Sequence, residues 1–122
     1  MAYGHKVIRY STSPVENAKG ISGLPGTSVQ FFAKALNNSK KKATITFQLF
    51  RLNGQKVLLD TQTFTLAPGS SGFRTFDVSQ LFQFEVVFTV SNCNVLVSGW
   101  GKNKAGQLVA AHRFAQAELT RF

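Results

Sequence analysis

Apolar and polar residues alternate with a period of two along most of the chain after residue 26. In one such segment Ala43, Ile45, Phe47 and Leu49 alternate with threonine and glutamine. Because successive side chains of a β-strand point to opposite faces, this pattern predicts strands with one buried face. The pattern recurs at residues 29–35, 57–66, 73–78, 84–90, 95–100 and 108–114.

Turn-forming residues separate these segments. The Asn53-Gly54 pair lies between two alternating runs and predicts a tight hairpin in which both residues have positive φ. The stretch from Ala67 to Gly72 ends the returning strand. Short strands at a spacing of roughly 8 to 12 residues are typical of sandwiches and barrels. We therefore expect an all-β fold, an antiparallel jelly-roll-like sandwich of about eight strands.

The first 26 residues differ from the rest of the chain. They contain one short alternating segment, with Val7, Ile8 and Tyr10, and then a stretch rich in glycine, serine and proline. We interpret residues 1–26 as a flexible N-terminal arm or connector with one short strand, and residues 27–122 as the β-sandwich domain. The arm strand can pair within its own sheet or add to the edge of a neighbouring subunit, and the sequence is compatible with both.

The chain is strongly basic. Fourteen lysine and arginine residues against five aspartate and glutamate residues give a formal net charge of +9, which favours acidic partners. The residues that we expect on a polyanion- or ligand-binding face are Lys34, Lys40, Lys41, Lys42 and Trp100. Most phenylalanines share a face with other apolar residues and are expected in the core, so we do not expect specific nucleic-acid binding.

The sequence lacks the clustered residues of a catalytic or metal-binding site. The five acidic residues are scattered, and the single cysteine, Cys93, excludes an intrachain disulfide and a thiolate-cluster metal site. The two histidines, His5 and His112, are separated by most of the chain. We therefore expect no catalytic activity, no cofactor and no metal. We also expect no membrane insertion, because no apolar run is long enough, and no classical signal peptide.

Several segments resemble small proteins of endospore-forming Gram-positive bacteria. The segments that carry the resemblance are residues 37–47, 52–54, 67–71, 95–102, 108–114 and 118–120. In size and layout the chain is similar to the subunits of endospore appendages, the pilus-like fibres of spore surfaces. The resemblance implies a jelly-roll domain with a flexible N-terminal connector that polymerises by β-strand augmentation. The chain departs from that family because residues 1–26 contain no cysteine for disulfides between subunits, and Cys93 is not at a matching position.

The arm and the resemblance lead to one functional hypothesis, a non-enzymatic subunit that self-assembles into a surface fibre. Val7, Ile8 and Tyr10 are the expected docking residues. The expected partners are further copies of the chain and an anchor or tip protein of the spore surface. The expected location is the spore or cell surface, and the cytoplasm is the fallback. The alternative is a β-sandwich module that binds a polyanion or a carbohydrate through the lysines named above and Trp100.

Overall fold

The computed structural model describes residues 7–18 and 27–122, which form ten strands in two antiparallel sheets. The strands are β1 (Ile8–Ser11), β2 (Val15–Glu16), β3 (Gln30–Asn37), β4 (Ala43–Leu52), β5 (Lys56–Leu66), β6 (Ser71–Asp77), β7 (Gln83–Val90), β8 (Val95–Lys102), β9 (Leu108–Phe114) and β10 (Thr120–Arg121). The predicted all-β sandwich is confirmed. The count exceeds the expected eight because β2 and β10 are strands of two residues each.

The two sheets divide the strands unequally. The six-stranded sheet, which we call sheet A, has the order β10-β1-β7-β4-β5, and β2 also pairs with β7. The four-stranded sheet, sheet B, has the order β6-β3-β8-β9. Two hairpins, β4–β5 and β8–β9, keep consecutive strands in one sheet, whereas the connections from β3 to β4, β5 to β6, β6 to β7 and β7 to β8 cross between sheets.

The inward faces of the two sheets form one hydrophobic core. Its largest fully buried side chains include Phe31, Phe47, Phe84 and Phe88. Phe47 packs edge-on against Phe88 with ring centroids 5.3 Å apart, and Phe31 packs edge-on against Phe84 at 5.5 Å. Edge-to-face contacts of this kind are favourable because the positive ring edge meets the negative ring face. The alternation in the sequence correctly predicts the buried positions of β3, β4 and β7.

The predicted hairpin between β4 and β5 is confirmed, but its predicted turn geometry is wrong. Leu52 pairs with Lys56, so the loop contains three residues and not two. Gly54 has a left-handed φ of 78°, whereas Asn53 does not have a positive φ. A single left-handed residue is sufficient in a three-residue loop, where glycine occupies that position without steric cost.

Residues 7–18 belong to the sandwich and are not separate from it. β1 pairs with β7 and with β10 of the same chain, and β2 pairs with β7. Ile8, Tyr10 and Val15 are buried in the common core. The alternative of a first strand within the chain's own sheet therefore describes β1. The remaining residues of the predicted connector, 1–6 and 19–26, lie outside the described residues.

After β9 the chain crosses from sheet B back to sheet A. A short 3-10 turn at Gln116–Glu118 is followed by β10, in which Arg121 lies opposite Tyr10. In residues 7–18 and 27–122 no helix has the length and apolar character needed to cross a membrane.

Two glycines in β8 allow close packing beneath Trp100. A methyl group added to Gly99 would overlap the buried ring of Phe31, and one added to Gly101 would overlap the side chain of His112. Because successive residues of a strand face opposite sides, the two glycines point inward and Trp100 points outward.

Replacement of Gly99 by alanine should lower the free energy of unfolding by about 1–3 kcal/mol, because the added methyl has to displace the Phe31 ring. Thr75→Ala, an exposed change on β6, should alter it by less than about 0.5 kcal/mol. Chemical denaturation measures both values. A Gly99→Ala variant as stable as the unchanged protein would contradict the close approach.

Candidate functional site

The outer faces of the two sheets differ in chemistry. The outer face of sheet A carries small polar side chains on its central and edge strands, namely Thr44, Thr46, Gln48, Thr61, Thr63 and Thr65. The outer face of sheet B carries aromatic, basic and leucine side chains, namely Phe32, Lys34, Leu36, Phe73, Leu96, Trp100, Lys102 and Arg113. Exposed rings and cations are the groups that bind ligands, so sheet B presents the candidate site.

Strand register brings these side chains next to one another. Phe32 in β3 lies opposite Trp100 in β8, and Lys34 lies opposite both Phe73 in β6 and Ser98 in β8. Side chains directly opposite in antiparallel strands are about 5 Å apart at Cβ and share a face. Lys34 therefore has Phe73 directly on one side and Trp100 diagonally on the other.

The three aromatic rings are held in place by specific contacts. The Phe32 and Phe73 rings have centroids 6.0 Å apart and are tilted by 33°. The Trp100 indole N–H donates a hydrogen bond of 2.9 Å to Ser98 Oγ, which fixes the ring relative to β8. Phe73 keeps 53% of its surface exposed. Exposure of a large apolar ring to water is unfavourable. A ligand stacked on the ring would remove this surface from water, which favours binding.

Three cations surround these rings. Lys102 Nζ lies 4.3 Å from the centroid of the Phe32 ring, within the range of a cation–π interaction. Lys34 is exposed, and so is Arg113, which lies opposite Trp100. The ion pair found in the described part of the chain joins Lys56 and Glu85 on sheet A. The cations of sheet B consequently have no carboxylate partner among those residues.

One acid lies at the corner of this face. Asp77 ends β6, opposite Gln30. Its carboxylate accepts hydrogen bonds from the Ser79 hydroxyl at 2.6 Å and the Ser79 backbone N–H at 3.0 Å. These bonds lower the pKa of Asp77 because they stabilise the charged form. One oxygen of the carboxylate, Oδ1, is thus engaged within its own turn.

A groove of about 1150 Å³ covers the part of this face around Lys34, Phe73 and Trp100. Its floor and rim include Lys34, Leu36, Phe73, Leu96, Ser98 and Trp100. One wall is the segment from Ala115 to Leu119, which the Gln116 side chain holds against the sandwich. Gln116 Oε1 accepts a 2.9 Å hydrogen bond from the Val97 backbone N–H, and its Nε2 lies 3.3 Å from the Tyr10 hydroxyl.

The structure brings two of the five predicted ligand residues together. Lys34 and Trp100 line the groove. Lys40, Lys41 and Lys42 lie in the loop between β3 and β4, beyond the Leu36 end of the groove. Asn37 organises this loop, because its buried amide donates to the carbonyls of Lys41 and Leu66 at 2.7 and 3.0 Å.

The predicted docking residues of the arm have other surroundings. Val7 is exposed, whereas Ile8 and Tyr10 are buried in the core of their own chain. Arg9, between them, lies opposite Thr89 of β7. Ile8 and Tyr10 therefore pack within the single chain, whereas Val7 lies outside the core.

Sequence reasoning missed four residues of the face: Phe32, Phe73, Lys102 and Arg113. Phe32 carries a usable signal, because the alternation places it with Lys34 on the polar side of β3. Phe73 carries none, since its partner Lys34 lies about forty residues away in sequence and only the β3–β6 register connects them. Long-range pairing of this kind is invisible in a local pattern.

His112 is buried at one end of the sandwich. Its Nε2 lies 2.7 Å from the Glu16 carbonyl oxygen, and its Nδ1 lies 2.6 Å from the Ser28 hydroxyl. A carbonyl oxygen can only accept, so in the neutral ring Nε2 carries the proton and Nδ1 accepts from Ser28. His112 thereby links β9 to Glu16 in β2 and to Ser28 just before β3.

These polar groups do not assemble a reactive centre with Cys93. The cysteine is exposed in the turn before β8, whereas His112 packs beside Gly101 near the other end of that strand. At 3.3 Å per residue the two are on the order of 20 Å apart. In the described residues no three histidine, cysteine, aspartate or glutamate side chains group as metal ligands.

Comparisons with known proteins give a fold likeness and no family. No protein-family model matches the chain, and no curated protein sequence matches it. The crystal structure of Thermotoga maritima 1070 is similar, with a TM-score of 0.50 over 94% of this chain and 90% of that one. The two sequences are 13% identical, so the likeness concerns the fold alone.

The stability of the protein should fall as the pH is lowered through the titration range of histidine. Burial lowers the pKa of His112 below its ordinary value of 6.5, although the bond to Glu16 opposes this. As the pH falls, the unfolded chain therefore binds a proton at a higher pH than the folded protein does. Protonation below about pH 6.5 consequently stabilises the unfolded state. The free energy of unfolding should be greatest above about pH 6.5 and decrease below it.

The matched variant is His112→Gln, whose amide keeps a hydrogen-bond donor but does not titrate in this range. Denaturation curves between about pH 8 and about pH 5 should show a smaller decrease for the variant. The same pH dependence in both proteins would contradict a buried neutral histidine.

Proposed function

We propose that this protein is a non-enzymatic module that binds an acidic polymer on the outer face of sheet B. One observation carries the proposal, namely that this face holds three aromatic rings together with three cations that have no carboxylate partner within residues 7–18 and 27–122. We call it the basic-aromatic face and define it by Phe32, Lys34, Phe73, Trp100, Lys102 and Arg113.

The hydrogen-bonding groups of this face favour an acidic ligand over a neutral carbohydrate. Lysine and arginine side chains only donate hydrogen bonds, so they match the acceptor oxygens of phosphate, sulfate or carboxylate groups. Two nearby acceptor oxygens are already engaged, because Ser98 Oγ accepts from the Trp100 indole N–H and Asp77 Oδ1 accepts from Ser79. Sugar hydroxyls need acceptors as well as donors, and the charged side chains at the centre of this face are donors only.

The distribution of charge favours a polymer over a small anion. The face extends along β3 from Gln30 to Leu36, roughly 20 Å at 3.3 Å per residue. Lys40, Lys41 and Lys42 continue the basic surface beyond that end, and the net charge of the chain is +9. Several separated cations bind several anionic groups at once, which a polymer supplies.

Binding should be strongly salt-dependent, and loss of Lys34 should weaken that dependence. With long-chain inorganic polyphosphate as the probe, the logarithm of the affinity should fall linearly with the logarithm of the salt concentration. Lys34→Gln should lower the affinity and reduce the slope by about one. Arg51→Gln removes an exposed cation from sheet A and is the matched control, with an expected loss that is clearly smaller.

Trp100 is the single tryptophan of the sequence, so its fluorescence reports binding at this face directly. Titrations at several salt concentrations measure the affinity for polyphosphate and the slope of its salt dependence. Equal losses of affinity in the Lys34 and Arg51 variants, or an affinity that does not change with salt concentration, would contradict the proposed site.

Self-assembly into a surface fibre is a second candidate function, and the backbone at Ser13 favours it. Ser13 joins β1 to β2 with a left-handed φ of 62°, a conformation that costs a non-glycine residue about 1–3 kcal/mol. Straightening of this connection would relieve the strain and allow β1 of one subunit to occupy the position beside β7 in the next. Fibre formation and a location at the spore or cell surface stay predictions that rest on the resemblance and on this hinge.

A disulfide between β1 and β7 should abolish such assembly. Arg9 and Thr89 lie directly opposite, so Arg9→Cys with Thr89→Cys, in a Cys93→Ser background, should form a disulfide within one chain. Oxidation should prevent fibres and reduction should restore them, as seen by negative-stain electron microscopy. The matched pair Thr46→Cys with Thr63→Cys cross-links β4 to β5 and should leave assembly unchanged. Fibres in the oxidised Arg9–Thr89 variant would rule out exchange of β1.

A further inference from the structure

We propose that the acidic polymer bound by the basic-aromatic face is single-stranded nucleic acid. This inference rests on the proposed function and adds the chemical class of the ligand. Its basis is the placement of rings and cations on a four-stranded antiparallel sheet.

The rings occupy the strands that can support stacked bases. Phe32 and Trp100 lie directly opposite on β3 and β8, the two central strands of sheet B, and Phe73 lies one position further along on the edge strand β6. Aromatic side chains on the central strands of a four-stranded antiparallel sheet provide platforms on which unpaired bases stack. Stacking accepts any base, because every base has a flat face.

One cation lies between two of the rings, and another lies beyond them. Lys34 has Phe73 on one side and Trp100 on the other, and Arg113 lies on the far side of Trp100. A single strand alternates a flat uncharged base with a charged phosphate, so rings and cations that alternate on a surface match both of its parts. The leucines at the Leu36 end of the groove add apolar surface for further bases.

An acidic carbohydrate matches this arrangement less well. Its rings are saturated and carry hydroxyl groups, so they offer no flat aromatic face to stack on Phe73 and Trp100, as an unpaired base does. In a nucleotide the base and the phosphate are separated by the ribose, and each can reach its own partner.

Duplex DNA is also a weaker match. Direct readout of the major groove uses a helix or a two-stranded ribbon that projects into it. The described part of the chain contains a single turn of 3-10 helix, Gln116–Glu118, and the candidate face is a sheet surface with rings that need unpaired bases. A duplex would offer only its phosphates to Lys34 and Arg113.

The test compares oligo(dT) with inorganic polyphosphate of the same number of phosphate groups, with Trp100 fluorescence as the readout. Oligo(dT) should quench Trp100 and bind about tenfold more tightly than polyphosphate at the same salt concentration, because stacking adds to the charge attraction. It should also bind more tightly than a duplex of equal length. Phe73→Ala should weaken oligo(dT) binding about tenfold and leave polyphosphate binding unchanged.

Phe82→Ala is the matched control, because Phe82 is 69% exposed and lies in the connection between β6 and β7, outside the groove. It should change neither affinity. Two results would overturn this inference and leave the acidic-polymer proposal standing. One is equal affinity for oligo(dT) and polyphosphate, and the other is an affinity for oligo(dT) that Phe73→Ala leaves unchanged. If neither probe binds, both proposals fail.

Discussion

The antiparallel register between β3 and β8 is the constraint on which the candidate face depends. It places Phe31 opposite Gly101 and Ala33 opposite Gly99, so that a large ring on one strand meets glycines on the other. The Phe31 ring fills the space beside Gly99, and Ser28 and His112 fill the space beside Gly101. A slip of one residue would turn the whole inward set outward. The same register that buries Phe31 therefore exposes the neighbouring ring of Phe32.

Buried polar side chains then fix the ends of the sandwich around this sheet. The Asn17 amide contacts the backbone of Ser28, Val78 and Leu81, and its oxygen accepts from the Ser28 N–H at 2.8 Å. Asn37 has the corresponding role at the other end, where it holds the lysine-rich loop. Every one of these polar groups is satisfied, which makes such contacts rigid determinants of loop position. These hydrogen bonds thereby fix the position of the lysine-rich loop relative to the groove.

The sequence was sufficient for the fold class and for the buried faces of β3, β4 and β7, because these follow from local alternation. It was insufficient for the role of β1. The strand-forming pattern of Ile8 and Tyr10 is the same whether the strand pairs within its chain or with another, and only the partner strands β7 and β10 distinguish the two cases. The candidate site was predictable in part for the same reason. The residue types of Lys34 and Trp100 indicate ligand binding from the sequence alone. Their proximity to Phe73 depends on strand pairing between distant segments.

The most direct test of the central claim, that the outer face of sheet B binds an acidic polymer, is a nuclear magnetic resonance titration of the ¹⁵N-labelled protein with polyphosphate. We expect the Trp100 indole N–H signal to shift together with the backbone amides of Phe32, Lys34 and Phe73, and the amides of the threonine-rich face of sheet A to stay unchanged. Shifts confined to sheet A, or spread evenly over all exposed lysines and arginines, would contradict the account.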